Sequence, residues 1–265
     1  MSGARVAIWV SSLGAIALAL RSVVVGPIPV WLAFLAFAMY LGLALVGVLV
    51  PQLEMFADVL SRGSGERRVV ALTFDDGPSA TTTPQVLEQL ARASVKATFF
   101  VVGEKVDRHP DVVRAIAEAG HELGVHGYRH HRLYAFLTPK AVAEDIRHAH
   151  DAVERASGVR PRWFRPPVGF VSPRTAAGAR RAGASIVAWT IRSLDGLANA
   201  DPRSVAARVE RRLTPGAIVV LHDAAEREDH EPASLRALPA ILENIARRGF
   251  LGVSVSELSE GEQSG

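Results

Sequence analysis

Two adjacent carboxylates, Asp75 and Asp76, close an apolar run at 68–74 and are followed at once by a Gly77-Pro78 turn. Acidic groups beside a buried run carry a desolvation cost unless a cation or a proton-transfer task uses them. His126 and His130 stand four residues apart, a spacing that lets two imidazoles reach one ion if the segment turns helically. With one Asp they make a two-His, one-carboxylate set that leaves positions open for water and substrate. A solvated His-rich loop is the competing reading of His126 and His130 alone, and the Asp75-Asp76 pair weighs against it. Arg165, Trp189, Asp195 and His222-Asp223 fall at or just beyond the ends of other apolar runs. His121, His131, His148, His150 and His230 lack comparable partners and are expected at surface or supporting positions.

Composition narrows the chemistry. The 265-residue chain has no cysteine, which excludes disulfides, thiolate metal sites and a cysteine nucleophile, so any metal is held by imidazole and carboxylate. Its net charge of +3 comes from scattered arginines rather than a basic block. Nucleic acid is therefore not an expected partner.

The elements that must position these groups alternate regularly. Strand-type runs are expected at 68–74, 97–102, 122–126, 163–165, 185–189, 217–221 and 251–255. Between them, Thr83-Pro84, His109-Pro110, Thr138-Pro139, Pro173 and Asp201-Pro202 open helices, and Gly120, Gly158 and Gly183 close three of them. A last helix occupies 234–248. Strands separated by helical crossovers predict a parallel α/β sheet, and seven such units predict a distorted seven-stranded (β/α) barrel, with an open doubly wound sheet as the rival. No glycine phosphate-binding fingerprint follows the first strand, which weakens a nucleotide-binding reading. In a barrel, Asp75, Asp76, His126, Arg165, Trp189 and His222 would all lie on the C-terminal rim, where catalytic groups of such folds sit.

The first 50 residues are different in kind. Residues 6–20 are apolar apart from two serines, Arg21 and Ser22 interrupt, and 30–50 carries no charge at all. The second run has the roughly 20 residues that cross a bilayer. With the Gly26-Pro27-Ile28-Pro29 turn between them, they read as a transmembrane helical hairpin over 1–50; a cleaved signal peptide competes for the first run alone. Residues 51–66 read as a linker, 67–258 as the catalytic domain and 259–265 as a flexible tail. Arg21 beside the short turn would put the domain outside a bacterial cytoplasmic membrane, whereas Arg5, Arg62, Arg67 and Arg68 pull the other way.

Taken in order, Thr73-Phe74-Asp75-Asp76-Gly77, His126-x-x-x-His130, Arg165-Pro166-Pro167-Val168-Gly169 and Leu221-His222-Asp223 resemble the NodB-homology polysaccharide deacetylases of carbohydrate esterase family four. The resemblance spans about 67–258. It implies a distorted (β/α) barrel and metal-dependent removal of acetyl groups from N-acetylated sugars, with zinc, or else cobalt, nickel or manganese, as the single divalent ion. It also implies Asp76, His126 and His130 as ligands, Asp75 as catalytic base and His222 as catalytic acid. Arg165 would orient Asp75, Val168 would offer a backbone N–H to the oxyanion where the family commonly has an aromatic residue, and Trp189 would wall the sugar pocket. Asp195, the one acidic residue left of the family's motif after the fifth strand, is expected to brace Arg165, and Asp223 is expected to be structural.

The expectation is a membrane-tethered N-deacetylase acting on N-acetylglucosamine-containing, peptidoglycan-type glycans outside the membrane. Deacylation of a lipid-linked sugar at the cytoplasmic face fits the charges better, and the same site could attack an O-acetyl ester. An iron oxygenase would also use two histidines and a carboxylate, but the alternating strands and helices argue against it. A non-catalytic glycan-binding module is disfavoured by the retention of both proton-transfer groups.

Overall fold

Alternation in the sequence becomes a parallel sheet wrapped by helices. The computed structural model describes residues 1–197, 199–226 and 230–260. Its strands are β1 (Val59–Leu60), β2 (Val69–Asp75), β3 (Thr98–Val101), β4 (Glu122–Val125), β5 (Trp163–Phe164), β6 (Ser185–Val187), β7 (Ile191–Arg192), β8 (Ile218–His222) and β9 (Leu251–Val253). They lie in the order β1-β6-β5-β4-β3-β2-β8-β7, with β9 also on β2, and every ladder is parallel. An antiparallel bridge from Arg62 to Ala217 joins the end of β1 to the start of β8, so the two sides of the curled sheet meet as a distorted barrel.

Period-2 alternation sorts each strand between two cores. Val70, Leu72 and Phe74 of β2 face the outer core under the helices, while Val69 and Ala71 face the barrel interior with Phe100, Trp163, Val187 and Ile218. Burying each large apolar side chain contributes about 1.5–3 kcal/mol. The same alternation turns Thr73 and Asp75 inward, which brings a carboxylate to the upper end of the barrel.

The helices are α1 (Gly3–Val24), α2 (Val30–Leu49), α3 (Thr82–Arg92), α4 (Gly103–Arg108), α5 (Pro110–Glu118), α6 (Pro139–Ser157), α7 (Pro173–Ala182), α8 (Pro202–Arg212), α9 (Ser234–Arg247) and α10 (Val255–Glu260). Three begin as capped prolyl turns: Thr138, Ser172 and Asp201 accept from the backbone N–H three residues on, with proline at the first position. Gly158 and Gly183 close α6 and α7 in the left-handed conformation. Thr83 differs from expectation, since α3 starts at Thr82, two residues before the expected Pro84, and the Thr83 hydroxyl donates to Asp223 Oδ2 instead of capping.

Nine strands among the described residues replace the seven expected. β1 and β7 have two residues each, too short to show a period. β1 falls in the stretch expected as a linker, and α10 covers 259 and 260 of the expected tail, whose residues 261–265 lie outside the described residues.

α1 and α2 form an antiparallel hairpin in which the Ser12 and Tyr40 hydroxyls share a hydrogen bond of 3.2 Å. Arg21 donates to the carbonyl of Gly26 in the turn. The open end of the hairpin rests on the barrel domain. Arg5 pairs with Asp58 at 2.8 Å, Val171 N–H donates to Val48 O at 3.1 Å, and the Gln52 amide donates to Trp189 O at 2.9 Å.

Candidate active site

The upper rim of the barrel holds a cleft of about 330 Å³ lined by Asp75, Asp76, His126, His130, Val168, Trp189 and His222. A larger hollow of about 770 Å³ lies between α1 and the barrel side and carries none of these groups.

Asp75 ends β2, and Asp76 follows with φ +70, a left-handed turn that Asp tolerates better than most residues. The turn is locked from below. A Cβ on Gly77 would lie 2.2 Å from Asp223 Oδ2, so only glycine fits there. Asp223 is buried, its Oδ2 takes the Thr83 hydroxyl, and burial pushes its pKa up to about 7. Its expected structural part agrees with this position under the turn.

His126 and His130 reach Asp76 by a route other than the one expected. Residues 126–130 are not helical; Gly127 at φ +80 and His130 at φ +50 fold the loop back on itself. Asp145 of α6 holds that loop by accepting the N–H of Tyr128 at 2.8 Å and of Arg129 at 3.3 Å. The Nε2 atoms of His126 and His130 then lie 3.5 and 3.2 Å from Asp76 Oδ1.

This grouping suits a cation. His126 donates from Nδ1 to the Arg165 carbonyl at 2.7 Å, which leaves the Nε2 lone pair aimed at Asp76. Burial, the leading cause, drops the His126 pKa to about 4, so the ring is neutral. Asp76 Oδ1 is buried and accepts no well-formed hydrogen bond. Lone pairs of an imidazole and a carboxylate facing one another repel unless a positive ion lies between them. One ligand atom from each of Asp76, His126 and His130 falls within 4.8 Å of the others. Burial alone would raise the Asp76 pKa, but the close approach of His130 and the histidine charges hold it far below the usual range. For His130, burial opposes and the nearby Asp76 carboxylate prevails, moving its pKa up.

Behind Asp75 stands Arg165, which is wholly buried. Its Nη1 donates to Asp75 Oδ1 and Thr73 Oγ1, both at 2.7 Å, and its Nη2 to Ala188 O at 3.0 Å. Its guanidinium lies 4.1 Å from the Phe100 ring centroid, a stacking that favours a buried cation. Arg165 therefore meets the β2 carboxylate as expected.

Asp195 does not brace Arg165. It is fully buried on the opposite side of the cleft, where Oδ1 lies 2.9 Å from His222 Nδ1 and Oδ2 accepts the His222 backbone N–H at 2.8 Å. Ser193 Oγ also donates to Oδ1. Burial lowers the His222 pKa, but the Asp195 charge and hydrogen bond outweigh it and raise it to about 10. The same contact depresses Asp195 against its own burial. The family resemblance pointed to Arg165; the loop after β7 turns the carboxylate toward β8 instead.

Val168 and Trp189 form the cleft wall. Val168 has φ +63, a conformation that is costly for a β-branched residue. Gly169, at φ +81, lets Trp189 approach so closely that a Cβ there would lie 2.1 Å from the indole.

Sequence reading missed several contributors. Glu226 lies 3.4 Å from His130 Nδ1 and pairs with Arg132 at 2.6 Å; Asp145, Ser193 and Thr73 hold the loops and the buried arginine. None shows a spacing signal, since each meets its partner only across the fold. His230 also lines the cleft, whereas His121 and His150 are buried elsewhere, His121 accepting the Ala97 N–H at 3.2 Å.

Residues 62–187 match the family model described as polysaccharide deacetylase. A peptidoglycan-N-acetylglucosamine deacetylase of Bacillus cereus is 35% identical over 193 residues, covering 72% of this chain and 88% of that protein. Among solved structures, a peptidoglycan N-acetylglucosamine deacetylase in complex with a naphthalenyl N-hydroxybenzamide aligns with a TM-score of 0.71 at 28% identity, over 76% of this chain and 92% of that one. A CE4 family pseudoenzyme from Bacillus anthracis aligns with a TM-score of 0.69 at 26% identity, over 78% and 70%.

Proposed function

The chain belongs to the polysaccharide deacetylase family, and on that premise we propose that it is a membrane-tethered hydrolase removing N-acetyl groups from N-acetylglucosamine-containing, peptidoglycan-type glycans. Likeness of fold extends to a pseudoenzyme, so the reading rests on the site. One observation carries it: a three-residue cation cradle lies between a carboxylate backed by a buried arginine and an imidazole backed by a buried carboxylate.

Asp76, His126 and His130 would hold one divalent ion, zinc first among candidates for a nitrogen- and oxygen-ligand set. Such an ion supplies Lewis acidity to the amide carbonyl and acidifies water. Asp75 Oδ1 is engaged by Arg165, and its other oxygen takes the proton from the attacking water. Val168 offers its backbone N–H to the oxygen that gains negative charge, and Trp189 walls the sugar. His222, kept protonated by Asp195 at neutral pH, gives its Nε2 proton to the departing nitrogen as the C–N bond breaks. Water and amide thus yield acetate and a free amine, and solvent resets the two proton carriers.

Membrane tethering rests on α1 and α2. Only 6% of the most apolar stretch of each is buried, which is unlike a helix in a soluble core and leaves a wide apolar surface for lipid.

The test is acetate release by purified full-length protein from a panel of N-acetylated and O-acetylated glycans, with and without chelator. Chelator-sensitive release from N-acetylglucosamine polymers is expected; release from O-acetyl esters alone would overturn the amide assignment. Replacing His222 by alanine should slow amide cleavage more than cleavage of an activated ester, whose leaving group needs no proton. Equal losses would remove its role as acid.

A further inference from the structure

Large apolar side chains stand exposed on the loops around the cleft. Among the described residues beyond 53, six large apolar side chains are exposed: Leu133, Phe136, Val159, Val168, Leu197 and Leu251. Four of the six belong to loops that carry or flank the site. Val168 and Leu197 line the cleft itself, and Leu133 and Phe136 follow the His130 loop, 69% and 71% exposed. Scattered exposed apolar residues need no explanation, but a cluster at one mouth does.

Hydrogen bonds tie this rim to the hairpin. The Ser172 hydroxyl donates to Ala135 O and Arg174 to Phe136 O, fixing the 133–136 segment beside the start of α7. Immediately before it, Val171 N–H donates to Val48 O near the end of α2. Gln52, just beyond α2, holds the carbonyl of Trp189 on the cleft wall. The point where the hairpin leaves the bilayer and the apolar mouth of the cleft are therefore parts of one connected face. Val159, by contrast, lies beyond α6, in the loop leading into β5 and away from the rim at the strands' C-terminal ends.

The cleft also holds a charge that the proposed chemistry does not use. Arg192 of β7 lines it, is exposed, and makes no ion pair among the described residues. A guanidinium at that place suits a phosphate oxygen.

We infer that the mouth of the cleft is applied to the bilayer that holds α1 and α2, and that its N-acetyl sugar is carried on a membrane lipid through a phosphate met by Arg192. This rests on the deacetylase reading above and on α1 and α2 spanning the bilayer. It narrows the substrate from glycans at large to a lipid-borne sugar phosphate at the membrane surface, where Leu133, Phe136, Val168 and Leu197 settle among the headgroups.

The absence of native cysteine makes the placement directly measurable. Full-length Phe136→Cys and Val159→Cys variants, each labelled with an environment-sensitive fluorophore, are reconstituted in phosphatidylcholine–phosphatidylglycerol vesicles with and without brominated lipid. The label at 136 should shift to the blue and be quenched by roughly half or more, as for a side chain among the headgroups and acyl chains, while the label at 159 stays in water. Equal, water-like emission at both positions would overturn the placement.

Acetate release is then compared in the same vesicles for a polyisoprenyl diphosphate-linked N-acetylglucosamine disaccharide and a water-soluble N-acetylglucosamine tetramer. Confinement to the surface should favour the lipid-borne sugar by about tenfold or more in kcat/KM, and Arg192→Gln should reduce that ratio by about tenfold. Equal use of the two sugars, or a ratio untouched by Arg192→Gln, would overturn the lipid-phosphate assignment. No acetate from either would overturn the deacetylase reading and the substrate assignment with it, and quenching would still decide the placement.

Discussion

Replacing Asp195 by asparagine should move the alkaline limit of activity rather than merely lower the rate. His222 is proposed to act as an acid, so activity is full below its pKa and is lost as pH rises through it. That pKa is raised from 6.5 to about 10, with the Asp195 charge as the largest upward cause. An opposed carboxylate is worth about 1–3 units, here at 2.9 Å and out of water. The asparagine oxygen must stay on the His222 backbone N–H now held by Oδ2, which turns the amide NH2 toward Nδ1. A donor facing Nδ1 favours the neutral ring and disfavours the imidazolium. The alkaline limb should therefore fall by about 2 units, equivalent to ~3 kcal/mol of differential stabilisation. The assay is kcat/KM for acetate release between pH 5.5 and 10.5, with ring protonation followed by NMR of labelled histidine. A uniform loss of rate with an unmoved limb would refute the reasoning, because a merely structural Asp195 would lower activity without changing the titration.

Other perturbations separate the remaining roles. Asp76→Ala should abolish bound metal by elemental analysis, whereas Asp75→Asn should keep the metal and lose at least ~100-fold in turnover; full metal in the first or near-normal acetate release in the second would dismiss the assignment. Arg165→Met leaves the buried Asp75 carboxylate unpaired and should cost about 3–5 kcal/mol in urea unfolding. Adding Asp75→Asn should recover much of that loss, and an additive double variant would show that the pair is not coupled. Val168→Gly removes a β-branched side chain from φ +63 and should stabilise the fold by ~1 kcal/mol while keeping the backbone donor; a lower melting temperature would mean that the side chain's packing outweighs its strain.

Much of the site was legible in the chain because its signals are local. Capped prolines and glycine stops located the helices that surround the rim, as Thr138-Pro139 to Gly158 does for α6. Apolar runs expected at 68–74, 122–126 and 217–221 end within one residue of β2, β4 and β8, which close at Asp75, Val125 and His222. Adjacent carboxylates and two histidines four apart then singled out a cation site, which the ordered motifs tied to a family. Hydrophobic periodicity and capping depend on neighbours within a few residues, so a sequence carries them directly.

Which group faces which was decided only in three dimensions. Asp195 was expected on Arg165, and the loop after β7 brings it to His222 instead. His126 and His130 meet Asp76 through a left-handed loop held by Asp145 on a distant helix, not through the helical turn their spacing suggested. Glu226, Ser193 and Thr73 contribute through contacts that no spacing announces, and the open end of the hairpin is held beside the cleft wall by the bond from Gln52 to Trp189. The sequence by itself determined the alternation of strands and helices, the apolar hairpin and the chemical types gathered at the rim. The tertiary structure decided the pairing of charges, because burial and Coulomb energy depend on distance through space, and residues far apart in the chain close that distance only when the barrel closes.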